Sequence, residues 1–152
     1  MKVGTFTAGV AGIVLLASGA ASQTPVATDG DTIRMDGRSY RLWGIDAPER
    51  RQECPDGWPA GRMALARLQE LVRNKYVVCQ RTGSDRAGRI VAICRVSGQD
   101  LAALLVSEGL AWAFRRDGDD YVDLEAEAKA AGLGIHARDC VPAWEWRAEQ
   151  PR

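Results

Sequence analysis

The chain has 152 residues, of which 46% are hydrophobic and 26% are charged. This is the composition of an ordinary globular protein with one domain and one core. The 20 basic and 20 acidic residues balance, which excludes a global positive field that would attract nucleic acid. Any such binding must depend on local groups of arginines and should weaken with added salt.

The N-terminal segment differs from the rest of the chain. Lys2 precedes a mostly apolar run, densest over residues 10–17, and small residues follow it. This layout predicts a secretory signal peptide over residues 1–22. An uncleaved membrane anchor is the alternative, but the run is shorter than the ~20 residues that a spanning helix needs. We therefore expect a secreted or periplasmic protein with no stable membrane span after cleavage. Loss of Lys2 would leave 19 basic and 20 acidic residues, a net charge near −1.

Strand-like segments come first in the remaining chain. Five candidates cover residues 31–35, 39–45, 76–81, 89–96 and 110–114. Asp36-Gly37 joins the first two and is a strong signal for a β-hairpin. A second turn at residues 85–88 joins the next two. A strand before Asp29 would be very short.

Three helices are predicted between and after these strands. Pro59 suits the first helical position, and an apolar face then repeats at Ala64, Leu68, Leu71 and Val72. Asp100 can cap a second helix, which Gly109 would end. Asp119 or Asp120 can cap a third helix, which ends near Gly132. Together the pattern indicates an α+β fold, and a small five-stranded OB-type β-barrel with about three helices would accommodate it.

Four cysteines follow the predicted signal peptide: Cys54, Cys79, Cys94 and Cys140. They can form two disulfides in three different ways. An even count in an exported chain suggests disulfides. Cys79 and Cys94 flank the second hairpin turn almost symmetrically, so they would face each other. Cys54 and Cys140 would then pair and close a long loop, worth roughly 4–5 kcal/mol in the chain-entropy model. A zinc site is the alternative, but the sequence has no Cys-x-x-Cys and only one histidine.

Acidic and arginine residues concentrate in short segments. These are Asp-Gly-Asp-Thr at residues 29–32, Arg-Leu-Trp-Gly-Ile-Asp-Ala-Pro-Glu at residues 41–49, and Asp-Arg-Ala-Gly-Arg at residues 85–89, followed by Gly-Leu-Ala at residues 109–111. Asp31 begins one strand of the first hairpin and Asp46 follows its partner, so both lie toward one end of it. Two carboxylates with a backbone carbonyl and waters form an all-oxygen site, which suits Ca²⁺ better than zinc or copper.

Three further residues could act on a phosphodiester beside such a metal. Glu49 follows Pro48, which stiffens the backbone, and a carboxylate there can act as a general base or position a water. Arg41 and Arg89 are planar and permanently charged, so each can hold two phosphate oxygens as negative charge develops. Taken singly, such residues are more commonly turn caps, loop residues or partners in surface salt bridges. The hypothesis depends on their occurring together.

The proposed site also requires a bend in the chain. Strict alternation along a strand would place Arg41 and Asp46 on opposite faces. We therefore expect the backbone to curve near Gly44.

These motifs, in this order, resemble those of the staphylococcal nuclease (thermonuclease-like) family over residues 29–136. The resemblance implies an OB-type barrel that uses Ca²⁺ to cleave DNA and RNA and leaves 3′-phosphates. Matched position by position, it implies that Arg41, Glu49 and Arg89 are catalytic. It also implies three metal ligands and one further acid near the metal: Asp31, Asp46, the backbone carbonyl of Ala47, and Asp29.

Some positions depart from the family pattern. Ala87 replaces a tyrosine in the second hairpin turn, and Arg115 and its neighbours replace tyrosines that stack on the nucleotide. His136 stands where a tryptophan is usual, and as the only histidine it excludes nucleases that use histidine pairs or histidine-bound metals. These departures affect base contacts and leave the metal and phosphate chemistry unaffected.

On this interpretation residues 23–139 form the nuclease domain, and residues 140–152 form a C-terminal tail that packs on it as irregular structure. We expect an exported, monomeric, Ca²⁺-dependent nuclease whose partner is a nucleic acid substrate. Two alternatives remain open. One is a non-catalytic OB-fold module that binds nucleic acid or a protein, and the other is a disulfide-stapled structural protein of the envelope.

Overall fold

The structure is a computed structural model that describes residues 24–150. The predicted signal peptide at residues 1–22 lies outside the described residues. The strands are β1 (Val26–Asp29), β2 (Thr32–Met35), β3 (Arg38–Leu42), β4 (Ile45–Asp46), β5 (Val77–Ser84), β6 (Ile90–Val96), β7 (Gln99–Asp100) and β8 (Trp112–Ala113). The α-helices are α1 (Ala60–Val72), α2 (Leu101–Ser107), α3 (Val122–Ala130) and α4 (Ala143–Glu149), and a short 3₁₀ helix spans Gly134–Ala137.

The strands form two sheets. The larger has the order β1-β2-β3-β6-β5, with β7 added to β6, and the smaller consists of β4 and β8. All pairs are antiparallel except β3 with β6, which is parallel. The α+β class is therefore confirmed. The five-stranded OB-type barrel is supported in part: the strand pairs described within residues 24–150 form an open path beside a separate two-stranded sheet, which is consistent with a partly open OB-like fold.

The predicted strand over residues 39–45 is split in two. Leu42 ends β3, Ile45 begins β4, and Gly44 between them has φ +73°, a left-handed conformation that glycine adopts readily. This is the bend that the site requires. The strand before Asp29 exists as β1, which spans only four residues and pairs with β2.

The first two predicted helices are confirmed, but Pro59 lies just before the first helical residue, Ala60, rather than at that position. On α1 the four predicted apolar residues are buried. The carboxylate of Asp100 accepts hydrogen bonds from the backbone N–H groups of Ala102 and Ala103 and caps α2. These features depend on contacts within a few residues, which sequence patterns capture well.

The predicted cap of the third helix is wrong. Tyr121 precedes α3, and no side chain caps the helix. Asp119 contributes only its backbone carbonyl, which accepts from Val122. The Asp120 carboxylate instead accepts from the indole N–H of Trp43, so a long-range partner replaces the local one.

The tail contains a fourth helix rather than the irregular structure that was expected. Helix α4 begins after Pro142, and Ala143 at its start is fully buried. Trp144 packs against Trp112 and Phe114, with ring centroids 6.2 and 5.9 Å apart. These contacts supply the tertiary packing that a seven-residue helix needs to form in water.

Both expected disulfides are present. Cys79 and Cys94 are directly opposite each other on β5 and β6, and Cys54 pairs with Cys140. Within the described part of the chain, no cysteine is free. No helix there is long and apolar enough to cross a membrane.

Candidate active site

A polar cavity of about 280 Å³ contains all of the predicted site residues. It is lined by Asp29, Asp31, Arg41, Asp46, Ala47, Glu49, Arg89 and Arg147. Seven of these eight residues were expected from the sequence, and Arg147 was not. The structure thus brings together four parts of the chain, at residues 29–31, 41–49, 89 and 147.

Small residues allow the first two segments to approach each other. Asp31 lies in the turn between β1 and β2. A Cβ atom on Gly30 in this turn would stand 2.9 Å from the Cβ atoms of Ala47 and Ala64. A side chain at position 30 would therefore push the Asp31 turn away from the Asp46–Ala47 segment.

Arg41 occupies the centre of the site. Its guanidinium lies 3.7 Å from the Asp31 carboxylate and 3.7 Å from the Asp46 carboxylate. It also donates a hydrogen bond of 2.9 Å to the backbone carbonyl of Ile45, and it lies over the ring of Phe114 at 5.5 Å from the centroid. Its side chain is only 12% exposed, so the charge is held in one orientation close to both acids.

Asp117 supports Arg41 although it lies 76 residues further along the chain, and no sequence pattern predicted this role. Its carboxylate lies 3.4 Å from the Arg41 guanidinium and accepts from the backbone N–H of Gly44 at 3.1 Å. This residue therefore fixes both the arginine and the bend. No local pattern marks an aspartate in an irregular loop for such a role.

Arg89 reaches the cavity from the beginning of β6. Its Nε donates to the Asp85 carboxylate at 2.6 Å, and one of its Nη atoms donates to Thr32 Oγ1 at 3.2 Å. The Thr32 hydroxyl in turn donates to Asp31 at 2.8 Å. Thr32 thus links Arg89 to the buried carboxylate of Asp31.

The acids lie in an environment that disfavours isolated negative charge. Burial raises the pKa of Asp31, while Arg41 opposes the shift and the neighbouring Asp46 carboxylate adds to it. Burial also raises the pKa of Asp29, and repulsion from Asp31 and Glu49 acts in the same direction. Added positive charge in this cavity would therefore be favourable.

The donor set fits a hard divalent cation in its chemistry. Carboxylate and backbone oxygens are the ligands that Ca²⁺ takes, and Asp46 and Asp31 are 2% and 8% exposed. Within residues 24–150, however, no group of three acidic, histidine or cysteine side chains is arranged around one point. The carboxylates face guanidinium groups instead.

Arg147, on helix α4, makes the closest of these contacts. Its two Nη atoms donate to the two carboxylate oxygens of Asp46 at 3.1 and 2.7 Å, and Nη1 also donates to Glu49 at 2.7 Å. Hydrogen bonding to Asp46 raises the pKa of Arg147. Asp46 and Arg147 are 101 residues apart, so no short-range signal in the sequence could have revealed the pair.

Gln52 connects the Glu49 loop to the tail and was also missed. It is 1% exposed. Its side-chain oxygen accepts from the backbone N–H of Glu49 at 3.1 Å, and its side-chain nitrogen donates to the carbonyl of Val141 at 2.8 Å. A buried glutamine with both ends satisfied fixes the position of the loop.

A wider groove of about 820 Å³ adjoins the cavity and shares Arg147 with it. Its lining combines aromatic and cationic side chains, among them Phe114, Arg115, Arg116, His136, Trp144 and Arg147. Burial lowers the pKa of His136, whose Nε2 has no hydrogen-bond partner among the described residues. The groove offers stacking surfaces beside positive charge.

Comparison with known proteins shows which family this chain resembles. The family described as staphylococcal nuclease homologue matches residues 39–138. An uncharacterized endonuclease of Haemophilus influenzae is 30% identical over 131 residues, which cover 81% of this chain and 70% of that protein. A micrococcal nuclease of Shigella flexneri is 31% identical over 137 residues, covering 78% of this chain and 75% of the other.

The structure thus combines an α+β fold with a polar cavity in which arginines face carboxylates. The chain belongs to the staphylococcal nuclease homologue family. Its nuclease relatives support a nuclease function, of the endonuclease and hydrolase class, with nucleic acid as substrate.

Proposed function

We propose that the protein is an exported, Ca²⁺-dependent endonuclease that hydrolyses phosphodiester bonds of DNA or RNA and leaves 3′-phosphates. One observation carries the proposal. Arg41 lies 3.7 Å from both Asp31 and Asp46, in a cavity that Glu49 and Arg89 also line. The candidate phosphate-binding residue Arg41 therefore lines the same cavity as the candidate metal ligands and the candidate base Glu49.

The calcium ion would be held by Asp31, Asp46 and the backbone carbonyl of Ala47, with Asp29 nearby. When bound, it would supply positive charge that polarises the phosphate and favours ionisation of a nearby water. The raised pKa of Asp31, caused by burial, supports this assignment because a cation would relieve the cost of ionising that group.

The protein's own residues would carry the remaining chemistry. Glu49 accepts a proton from the attacking water. Arg41 and Arg89 bind the non-bridging phosphate oxygens and stabilise the charge that develops on them. Asp117 and Thr32 are positioning residues, since each contacts one of these arginines.

The wider groove would carry the nucleic acid strand toward the cavity. Unpaired bases can stack on aromatic side chains while arginines contact the phosphates, and Trp144 and Arg116 offer these two kinds of contact. The two disulfides support an oxidising location such as the periplasm or the medium.

Digestion of single- and double-stranded DNA and of RNA by the purified, oxidised protein tests the proposal. We expect cleavage with Ca²⁺, none with EGTA, and none from Glu49→Ala at any calcium concentration. Product ends are identified by their resistance to extension until a 3′-phosphatase is added.

The alternative, a module that binds without cutting, predicts a different result. Folded wild-type protein would then bind oligonucleotide in EGTA and leave it intact when calcium is added. Cleavage that persists in Glu49→Ala would instead contradict the role of that residue.

A further inference from the structure

The tail helix places a positive charge where a divalent cation would have to be held. Arg147 lies beyond residues 39–138, the part of the chain that matches the family, and it contacts both Asp46 and Glu49. We propose that Arg147 is a residue of the active site that competes with the divalent cation for Asp46 and so sets the affinity of the site. The inference rests on the proposed function, because it takes Asp46 as a metal ligand.

Arg147 occupies the oxygens of Asp46 that would hold the ion, so the two cations would compete there. Each Asp46 carboxylate oxygen already accepts a hydrogen bond from Arg147, and Arg41 lies 3.7 Å from one of them. The Asp46 side chain is 3% exposed, so little of the carboxylate is free to accept a further ligand. An ion held there would lie beside the Arg147 guanidinium, and the repulsion between the two positive charges would favour displacement of Arg147.

The exchange requires no unfolding. The Arg147 side chain is 43% exposed, in contrast to Arg41 at 12%. A long arginine side chain can therefore swing away from the acids while α4 stays in place. Once displaced, its charge remains beside the cavity, where it can pair with substrate phosphate.

The rest of the tail keeps Arg147 close to the site. The disulfide between Cys54 and Cys140 anchors the chain two residues before Pro142, and Gln52 holds the carbonyl of Val141 at 2.8 Å. Ala143 is fully buried. This anchoring gives the guanidinium a high effective concentration at Asp46, so it competes as an intramolecular ligand.

The test is a measurement of cation binding rather than of cleavage. Calcium affinity is determined by isothermal titration calorimetry for the oxidised wild type, Arg147→Gln and Arg147→Lys. Loss of a charge-assisted hydrogen bond of ordinary strength predicts that Arg147→Gln binds Ca²⁺ about tenfold more tightly. The calcium affinity of Arg147→Lys should lie between those of the wild type and Arg147→Gln, because lysine keeps the charge but cannot form the bidentate contact.

Arg138→Gln is the matched control. Arg138 is a second arginine near the tail, but it pairs with Asp56 at 2.6 Å and does not line the cavity, so its calcium affinity should equal that of the wild type. Equal or weaker binding by Arg147→Gln, or no calcium binding by any variant, would overturn the inference.

Cleavage assays on the same proteins separate this inference from the proposed function. Calcium-dependent cleavage that requires Glu49, combined with unchanged affinity in Arg147→Gln, would refute only the competition. Tighter calcium binding without cleavage by any variant would refute only the nuclease chemistry.

Discussion

Individual side chains in this protein serve the site through a few short, directional contacts. Arg41 contacts the acids of two different segments, and Thr32 connects Arg89 to one of them. Most of these contacts involve a charged group, which makes each hydrogen bond stronger than a neutral one. Removal of a buried charge such as that of Arg41 should therefore affect folding as well as chemistry, whereas removal of a more exposed one should affect mainly chemistry.

Arg89→Ala should lower kcat/KM for DNA by roughly 10²–10³-fold, the usual effect of losing one donor to a developing oxyanion. Its side chain is 36% exposed, so the melting temperature should change little. Arg34→Ala is the control, since Arg34 is an exposed arginine on β2 outside the cavity. Cleavage by Arg89→Ala within threefold of the wild type would contradict the assignment.

His136 should make stability depend on pH. Burial lowers the pKa of this histidine below its ordinary 6.5, with Lys129 acting in the same direction and Glu125 opposing. The unfolded chain therefore takes up a proton first as pH falls. Stability is fully present above pH 6.5 and is lost as the pH falls through the folded pKa.

Urea unfolding from pH 7.5 to pH 5 measures this effect. We expect the free energy of unfolding of the wild type to fall more steeply below pH 6.5 than that of His136→Gln. As the chain has one histidine, the comparison isolates this group. Identical slopes in the two proteins would show that His136 does not titrate differently on folding.

At the scale of elements, the site depends on how closely α1 approaches the loop that carries Glu49. Gly61, in the first turn of α1, has no room for a side chain: a Cβ atom there would stand 1.8 Å from the carbonyl oxygen of Glu49. The obstruction is backbone, so the loop itself would have to move. Helix packing thus sets the position of the proposed base.

Gly61→Ala should therefore lower stability by about 1–3 kcal/mol, as overpacking does. It should also lower kcat by as much as ~10²-fold, because a shift of about 1 Å misplaces Glu49. Thermal unfolding and DNA digestion measure the two effects. Gly83→Ala, where nothing lies within 4 Å of the added carbon, should behave as the wild type. A fully active Gly61→Ala would contradict the dependence on close approach.

Helix α4 contributes Trp144 to the wider groove as well as Arg147 to the cavity. Trp144→Ala should weaken binding of a single-stranded oligonucleotide in EGTA by about tenfold, in line with the loss of one stacked base. Fluorescence anisotropy measures the affinity. Trp146→Ala is one control, because Trp146 is on the same helix but is not among the residues that line the groove. Since Trp144 also packs against Trp112 and Phe114, thermal unfolding must show that Trp144→Ala keeps the fold. Equal weakening in both variants would indicate general damage to the helix.

For the whole molecule, the two disulfides stabilise the fold to different degrees. Cys54–Cys140 spans 86 residues and Cys79–Cys94 spans 15. In the chain-entropy model these loops are worth about 4.5 and about 3 kcal/mol. The longer one also fixes the tail that carries Arg147.

Cys54→Ser/Cys140→Ser should therefore lower the free energy of unfolding by more than Cys79→Ser/Cys94→Ser does. Guanidinium titration at constant pH measures both. The first double variant should also bind calcium more tightly than the second, since a loosened tail presents Arg147 to Asp46 less often. A larger stability loss in the second variant would contradict the loop-length argument.

Much of the architecture was predictable because it depends on neighbours along the chain. The buried face of α1, the Asp100 cap of α2 and the Asp36-Gly37 hairpin follow from local periodicity and turn chemistry. The tail helix α4 could not be predicted in this way, since a helix of seven residues forms only when other elements pack against it. The predicted cap of α3 by Asp119 or Asp120 was wrong for a similar reason, because the Asp120 carboxylate accepts a hydrogen bond from the distant Trp43.

The sequence by itself determined which residue types are available to the site, in Asp31, Arg41, Asp46, Glu49 and Arg89, because motif and spacing are local properties. Only the tertiary structure decided what those groups face. The parallel pairing of β3 with β6 brings Arg89 toward Asp31, and the packed tail brings Arg147 onto Asp46. These contacts join residues 57 and 101 positions apart, so they are determined by packing of the whole chain and no local pattern encodes them.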